Sequence, residues 1–540
     1  MRRVLALFAV GAAIAGLLVA SSAIGGRPTL TASANPVETL LPVVPLAGTA
    51  ATVWDCPGPL PVAGGARSSV SIANPSSRPA TASVLLVETE VLGTRPAERL
   101  LTPRSETIVI PAHSEHDLVL PDLAPTQKAA APGVATHHRH GSAHRSSGHT
   151  AAVAPGLPSA VEASVSVTVA GPGVAVSETL RDSRGILASA CATGSTSAGF
   201  TASGVTAGSS SVWLAVFDPT AAPAVVNLAV GTESGLVQPA AYQGLSIAPR
   251  STVLVNIGRY VPLRSLVAVS ATATVGRVTI GSLTTVVAHV STNLLGPGHS
   301  YQEAGQALAV GIGKPLTRWA MPLGATSTND AEAVRIFNPG THATTVTLES
   351  LVPGSPPATL AIAVAAGQTV TADAPRPSQP SGSAGVLFVH SSGGVGIVVD
   401  HETYTTVRAQ HVVLSESPAV TAASAAWVLP GQEQGPQVTD TVGVTATMPG
   451  STHVVVDELV QAGGGGVSLV RLAAGSVTPD RPLVLHLSSL LRNTKTTAAF
   501  GLFVEAASPV LVTGVMNPAA SAPGSASSVG AVEIGVEARP

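Results

Sequence analysis

Five histidines lie close together in one stretch of the chain and could bind a transition metal. They are His137, His138, His140, His144 and His149. Imidazole binds zinc, copper and nickel, and clustered imidazoles can chelate such ions. No cysteine or acidic residue accompanies them, and Arg139 and Arg145 would repel a cation. We interpret residues 125–158, which are rich in Ala, Ser and Gly, as a disordered surface insert, with metal sequestration as the alternative.

A second titratable group, Asp400-His401-Glu402, follows a short apolar strand and could perform acid–base chemistry. Side chains alternate along a strand, so His401 would point away from Asp400 and Glu402. We expect these three residues to lie at the end of a strand and to have no role in acid–base chemistry. The chain has no nucleophile elbow, zinc-protease helix motif, P-loop or dinucleotide-binding glycine motif. These patterns favour a protein that is not an enzyme and that holds no cofactor.

The two cysteines, Cys56 and Cys191, lie at the two ends of the first repeat described below. An even number of cysteines favours a disulfide in an oxidising compartment. Such a bridge would contribute about 5 kcal/mol in the loop-entropy description. Two buried free thiols are the alternative. A redox or metal pair is disfavoured because no C-x-x-C spacing occurs.

The elements that must position these residues are built from small aliphatic side chains. The 540 residues are 45% hydrophobic but only 3% aromatic and 11% charged. This length suggests about three to five domains. Branched aliphatic side chains favour strands, and 54 glycines with 43 prolines supply many turns. The net charge of −3 gives no basic field for nucleic acid.

The N-terminus carries a predicted export segment. Arg2 and Arg3 precede the apolar residues 4–23, and small residues offer a cleavage site after Ala23. We assign residues 1–26 to a signal peptide or an uncleaved membrane anchor, and both alternatives stay open. Either one places the rest of the chain outside the cytoplasm, secreted or anchored to the cytoplasmic membrane by residues 4–23. Residues 27–52 are interpreted as a linker.

One sequence motif recurs four times along the chain. A short apolar strand ends at an X-Pro pair, and a second apolar strand follows after a few small residues. A strand with a small-residue turn comes next in each repeat, and its predicted fourth copy is Leu472 to Ser476. A Gly- or Pro-rich hairpin follows, and in the last repeat residues 498–516 are predicted to form two strands. The order predicts an all-β protein of tandem β-sandwiches, Ig-like or fibronectin-like, after the N-terminal helix. The four pairs are Asn74-Pro75, Asp218-Pro219, Asn338-Pro339 and Met448-Pro449.

The repeats divide the chain into four predicted sandwich units. A tryptophan or phenylalanine precedes each X-Pro pair, and we expect Trp54, Trp319 and Trp427 to fill the cores of their units. The predicted boundaries are 53–195 for unit 1 with the insert 125–158, 196–292 for unit 2, 293–315 for a linker, 316–415 for unit 3 and 416–540 for unit 4.

The export segment, the stretch Val53-Trp54-Asp55-Cys56-Pro57-Gly58-Pro59 and the repeated Asn-Pro units resemble an uncharacterised family of secreted or membrane-anchored proteins. That family, a domain of unknown function, occurs in high-GC Gram-positive bacteria. Its members are encoded near cell-wall glycosyltransferases, which implies an envelope role. The resemblance implies no activity and no site residues, and the His-rich insert departs from the family.

These features predict a non-enzymatic, exported cell-envelope protein. Its sandwiches would make structural or binding contacts with a cell-wall polymer or an envelope-assembly protein. One alternative is a carbohydrate-active accessory protein or enzyme with a site in the loops between strands. Another is metal sequestration by the histidines of the insert. No nucleic acid partner is expected, and membrane contact is expected only through the N-terminal segment if it stays uncleaved.

Overall fold

A computed structural model describes twenty stretches of the chain, which lie within one compact unit, Pro36–Pro540. These are residues 39–41, 44–45, 53–61, 67–91, 98–100, 102–120, 161–170, 173–182, 185–292, 300–323, 330–352, 355–375, 385–407, 411–418, 423–433, 438–448, 450–461, 469–479, 481–487 and 499–518. The His-rich insert and the N-terminal export segment lie outside the described residues.

The described residues form strands joined by turns, in four groups that we call sandwiches 1 to 4. Two short strands, β1 Thr39–Leu41 and β2 Val44–Pro45, precede them. Sandwich 1 contains β3 Val53–Pro61, β4 Arg67–Asn74, β5 Ala80–Val91, β6 Glu98–Leu100, β7 Arg104–Ile110, β8 Ser114–Val119, β9 Val161–Ala170, β10 Ala175–Asp182 and β11 Gly185–Ala190. Sandwich 2 contains β12 Ala198–Thr201, β13 Ser211–Asp218, β14 Ala224–Thr232, β15 Gly235–Val237, β16 Leu245–Ile247, β17 Ser251–Asn256, β18 Val267–Val275, β19 Thr279–Thr292 and β20 Ser300–Val310, with 3-10 helices at Ala240–Tyr242 and Ile257–Arg259.

The second half of the chain repeats the same order. Sandwich 3 contains β21 Arg318–Leu323, β22 Asp330–Phe337, β23 Thr344–Leu351, β24 Ala358–Val364, β25 Thr369–Asp373, β26 Gly385–Ser391, β27 Val398–Val407 and β28 His411–Pro418. Sandwich 4 contains β29 Ser424–Glu433, β30 Val438–Ala446, β31 Thr452–Gln461, β32 Val470–Val477, β33 Leu483–His486 and β34 Ala499–Pro518. The part of the chain that the structure describes contains no helix with the length and apolar character that a membrane crossing requires.

Every sandwich uses the same eight strand positions, which we letter a to h in chain order. Positions a, f, c and d form one antiparallel sheet, and positions h, g, b and e form the facing one. The positions are β3, β4, β5, β7, β8, β9, β10 and β11 in sandwich 1, β12, β13, β14, β16, β17, β18, β19 and β20 in sandwich 2, and β21 to β28 in sandwich 3. In sandwich 4 they are β29 to β33, the two halves of β34 for f and g, and β1 for h.

In sandwiches 1 to 3 the X-Pro pairs form the turn between positions b and c, as their sequence predicts. Pro449 of the fourth pair lies outside the described residues. Asn74 accepts the backbone N–H of Ser76 at 3.1 Å, and its amide donates to the Arg78 carbonyl at 2.8 Å. Asn338 makes the equivalent bonds to Gly340 and His342. These side chains replace backbone partners that the turn leaves unpaired, which explains the recurrence of Asn and Asp before proline.

The small-residue turn between positions d and e also repeats in three dimensions. His113 and Arg250 both have φ of 52°, and Gly367 has φ of 71°, so each occupies the left-handed region. The predicted fourth copy, Leu472 to Ser476, is wrong, because those residues lie inside strand β32. The corresponding turn in sandwich 4 comes later, where Thr478 and Arg481 bridge.

Tryptophans at position a fill three of the cores. Trp54, Trp319 and Trp427 are buried. The indole N–H of Trp319 donates to the Ile397 carbonyl at 3.1 Å, and that of Trp427 donates to the Val510 carbonyl at 2.9 Å. The rings are therefore core residues and offer no surface for stacking a ligand.

The four sandwiches form a closed ring. Position a of each sandwich packs against position g of the next, through the pairs β3 and β19, β12 and β27, β21 and β34, and β29 and β10. We call the four contacts seams 1–2, 2–3, 3–4 and 4–1. The h strands meet in the middle, where β20 and β28 pair in parallel and β1 contacts β11 and β28.

Two predicted linkers contain strands, so those assignments are wrong in part. Within 293–315, strand β20 pairs with both β19 and β28 and joins two sandwiches into one sheet of 8 strands. Within 27–52, β1 pairs with β34 and β2 pairs with β29. The described part of residues 498–516, predicted as two strands, lies within the single strand β34, because the two halves of this strand join opposite sheets of sandwich 4.

Candidate functional site

Cys56 and Cys191 form a disulfide, as the sequence favours. Their Cα atoms are 4.6 Å apart, and 135 positions separate them in the chain. Cys56 lies in β3, and Cys191 directly follows β11, so the bridge joins positions a and h of sandwich 1. Both residues are fully buried. The bridge therefore closes sandwich 1 across its two sheets.

Glu178, on β10, lies against this disulfide. Its carboxylate and both sulfurs lie within 4.8 Å of one another. The Gly58 backbone N–H donates to Oε2 at 3.1 Å. Burial raises the pKa of Glu178 from 4.5 to about 8. A neutral carboxyl beside two sulfurs already bonded to each other is a structural group, because metal binding requires thiolates.

Seam 1–2 is joined through Asp55 of β3. Asp55 accepts the Ser166 hydroxyl at 2.7 Å within sandwich 1 and the Thr279 hydroxyl of sandwich 2 at 3.2 Å. Burial raises its pKa to about 6, against the lowering effect of these two bonds. Close to it, the Thr252 hydroxyl donates to the Ser164 hydroxyl at 2.7 Å. Both contacts satisfy polar groups that the seam removes from water.

Seam 2–3 contains the Asp400-His401-Glu402 segment, and its predicted position is wrong. All three residues are buried within β27 instead of decorating a strand end. Asp400 accepts the Ala202 backbone N–H at 2.8 Å and the Ser203 hydroxyl at 2.9 Å, both from sandwich 2. Burial raises the pKa of Asp400 to about 6, and the nearby Glu402 raises it further. The segment lies at a contact between two sandwiches, and the sequence of a single repeat does not indicate such a contact.

Arg335 completes this buried group. Its guanidinium pairs with Glu402 inside sandwich 3 and donates to the Gly204 carbonyl of sandwich 2 at 2.8 Å. Asp400 and Glu402 point to the same side of β27, as strand alternation predicts. Arg335 offsets one of the two buried carboxylate charges, and the Ala202 N–H and the Ser203 hydroxyl stabilise the other carboxylate, Asp400. Its contacts explain a seam and require no substrate.

The described surface also presents one ordered apolar loop, Arg259–Arg264, which we call the Tyr260 loop. Tyr260 is 46% exposed and Leu263 is 75% exposed. The Arg259 guanidinium lies 5.5 Å from the centre of the Tyr260 ring, and the buried Tyr242 ring meets that ring edge-on at 5.2 Å. The sequence signal for this loop is weak, because a single tyrosine between two arginines is not part of any repeated pattern.

Thr206 holds the Tyr260 loop in place. Its backbone N–H donates to the Arg264 carbonyl at 2.9 Å, and its carbonyl accepts the Leu263 N–H at 3.1 Å. Its hydroxyl donates to the Val261 carbonyl at 2.7 Å and accepts the Arg264 N–H at 3.2 Å. Leu263 adopts φ of 60°, which is unusual for a leucine. The loop is therefore exposed, while its backbone is fixed by hydrogen bonds and holds one leucine in the left-handed region.

Comparison with known proteins identifies an uncharacterised domain and no activity. Residues 151–373 match the sequence model of a family of unknown function, DUF5719. No curated protein matches the chain. A crystal structure of Thermotoga maritima 1070 is 13% identical, with a TM-score of 0.17, and the match covers 20% of this chain and 94% of that one.

A second solved structure is the alpha-L-rhamnosidase of Streptomyces avermitilis in complex with L-rhamnose. It is 10% identical with a TM-score of 0.10, and the match covers 74% of this chain and 47% of that chain. This chain therefore spans less than half of the rhamnosidase. Neither likeness is close enough to support an argument about function.

Proposed function

We propose that this chain is a non-enzymatic, exported envelope protein whose ring of sandwiches displays the Tyr260 loop to a cell-wall polymer. The disulfide is typical of oxidising compartments outside the cytoplasm. The Asp55 and Asp400 carboxyls with raised pKa values bond across seams and leave no acid–base pair beside a substrate cleft there. These groups support a scaffold in preference to an enzyme.

The Tyr260 loop carries the binding part of this proposal. The exposed Tyr260 ring could stack on the face of a sugar, and the Arg259 guanidinium beside it could pair with a negative charge on the same polymer. Thr206 fixes the backbone, so little conformational freedom is lost on binding. A hydrolytic sugar site would place several rings and carboxylates together, whereas Tyr242 is buried under Tyr260 and presents no second face.

A sedimentation assay tests the proposal with the full exported chain and insoluble cell-wall material. We expect the wild type to co-sediment and Tyr260→Ala to lose at least about 10-fold in affinity, as truncated aromatic anchors often do. Val275→Ala is the matched control, because Val275 is 54% exposed at the opposite end of the same sandwich. Equal binding by both variants, or recovery of a protein partner without glycan, would overturn the proposal.

A further inference from the structure

Position d is the outer edge strand in each sandwich, and three of the four are protected against pairing with another chain. Edge strands expose unpaired backbone N–H and C=O groups, and proteins protect them with charges or by shortening them. In sandwich 1, β7 carries Arg104 and Glu106. In sandwich 4, β32 carries Arg471, and in sandwich 2 the edge strand β16 has only 3 residues.

Strand β24 of sandwich 3 lacks every such protection. Its sequence Ala-Thr-Leu-Ala-Ile-Ala-Val is 7 residues long, and among the described strands it pairs only with β23. No charged residue occurs anywhere between Glu349 and Asp373. The strand is open to solvent, with Thr359, Ala361 and Ala363 exposed and Leu360 36% exposed.

Comparison of β24 with β7 shows that the difference lies in the side chains. Both strands have the same pattern of burial and the same antiparallel register against position c. Leu360 therefore corresponds to Glu106, and Ala361 corresponds to Thr107. The fold accepts a glutamate at this position in sandwich 1, so the apolar residue in sandwich 3 is not a requirement of the sandwich itself.

We propose that β24 pairs antiparallel with β24 of a second copy of this chain, and that the protein is a two-fold symmetric dimer. A two-fold axis at Ala361 places Leu360 of each copy opposite Ile362 of the other, on the side that faces the core. On the solvent side, Ala361 meets Ala361. The pairing buries two aliphatic side chains from each copy and brings no like charges together.

The chain already joins its own repeats by the same type of contact. Strands β20 and β28 of neighbouring sandwiches pair edge to edge, and β8 pairs with β31 across seam 4–1. These contacts merge sandwiches into shared sheets of 8 and 12 strands. The neutral composition of β24 favours an identical neutral strand as its partner over a charged peptide.

Sedimentation velocity of the full exported chain tests the dimer. We expect the wild type to dimerise and Ala361→Lys, which sets two ammonium groups opposite each other, to weaken dimerisation at least about 10-fold. Thr107→Lys on β7 is the matched control and should behave as the wild type. A monomeric wild type overturns the proposal. So does a second protein that co-purifies with the wild type and is lost from Ala361→Lys, because β24 would then hold a foreign strand.

A cysteine variant tests the same register without adding charge. Both native cysteines are in the disulfide, so Ala361→Cys introduces a single free thiol. Mild oxidation should cross-link this variant into dimers through Cα positions that face each other, whereas Thr107→Cys should stay monomeric. Failure of the folded Ala361→Cys variant to cross-link, or equal cross-linking of both variants, contradicts the proposed pairing.

Discussion

Gly431 in sandwich 4 donates its backbone N–H to the carboxylate of Glu115 in sandwich 1, at 3.0 and 3.2 Å, across 316 positions of sequence. Glu115 is fully buried. Burial raises its pKa well above the usual value, and the neighbouring Asp117 raises it further, while the Gly431 bond lowers it. The bond connects the last sandwich with the first, so it belongs to the seam that closes the ring.

Substitution of Glu115 tests the contribution of this seam. Glu115→Ala leaves the Gly431 N–H buried without its partner, and we expect a loss of about 2–4 kcal/mol in the free energy of unfolding. Glu115→Gln keeps an acceptor oxygen and should lose less. Equilibrium denaturation measures both variants, with Glu106→Ala on the exposed β7 as control. Equal stability of Glu115→Ala and the control would contradict the role of this bond.

The buried Glu178 predicts a specific dependence of stability on pH. The unfolded chain loses this proton above about pH 4.5, whereas the folded chain keeps it up to about pH 8. Folding therefore retains a proton that unfolding releases, and stability falls as the pH rises between these values.

Glu178→Gln removes that proton exchange. From pH 6 to pH 8 we expect the stability of the variant relative to wild type to rise by about 2 kcal/mol, because one proton is worth up to about 1.4 kcal/mol per pH unit. Asp55 and Asp400, whose pKa values are raised to about 6, are present in both proteins, so their titration cancels in this difference. Urea unfolding across this range measures the change. A difference between wild type and variant that stays constant with pH would refute the neutral state of Glu178.

Close backbone approach at seam 2–3 predicts sensitivity to one added methyl group. A Cβ on Gly231 of β14 would lie 2.3 Å from the Phe337 ring and 2.8 Å from the Thr369 hydroxyl of sandwich 3. We expect Gly231→Ala to lose about 1–3 kcal/mol in stability through overpacking. Gly475→Ala is the control, because its Cβ would have its nearest neighbour at 4.0 Å. Equal thermal stability of the two variants would show that sandwiches 2 and 3 are not packed this closely.

The disulfide is expected to stabilise the fold by about 2–5 kcal/mol. A double variant, Cys56→Ala with Cys191→Ala, should unfold at correspondingly lower denaturant concentration, and reductant should then have no further effect on it. Both cysteines are buried, so the wild type should resist reduction until it unfolds. A wild type whose native state is readily reduced would be inconsistent with the buried bridge.

Local chemistry explains which parts of the fold the sequence predicts. Asn74 and Asn338 bond to the backbone of their own turns, and the disulfide lies where paired cysteines suggest. These signals act within a few residues or within one repeat. They identified the all-β class and the b–c turns without any knowledge of how the repeats pack.

The features that the sequence did not predict depend on contacts between repeats. The sequence places Asp400 at a strand end, because its partners, Ala202 and Ser203, come from another sandwich. The sequence predicts a linker at strand β20, because one of the two strands that it pairs with, β28, belongs to another sandwich. The Tyr260 loop depends on Thr206, more than 50 residues earlier, for its order. Patterns within a single sequence do not indicate which residues of other repeats will be in contact.

Completion of sandwich 4 by the N-terminal strand β1, on which the repeated eight-strand architecture depends, is tested most directly at Leu40 and Val515, which are paired positions on β1 and β34. The double variant Leu40→Cys with Val515→Cys should form a second intramolecular disulfide on mild oxidation of the full chain. Mass spectrometry without reductant should then show the two peptides linked to each other. Two thiols that both remain open to alkylation in the folded protein would show that β1 does not complete sandwich 4.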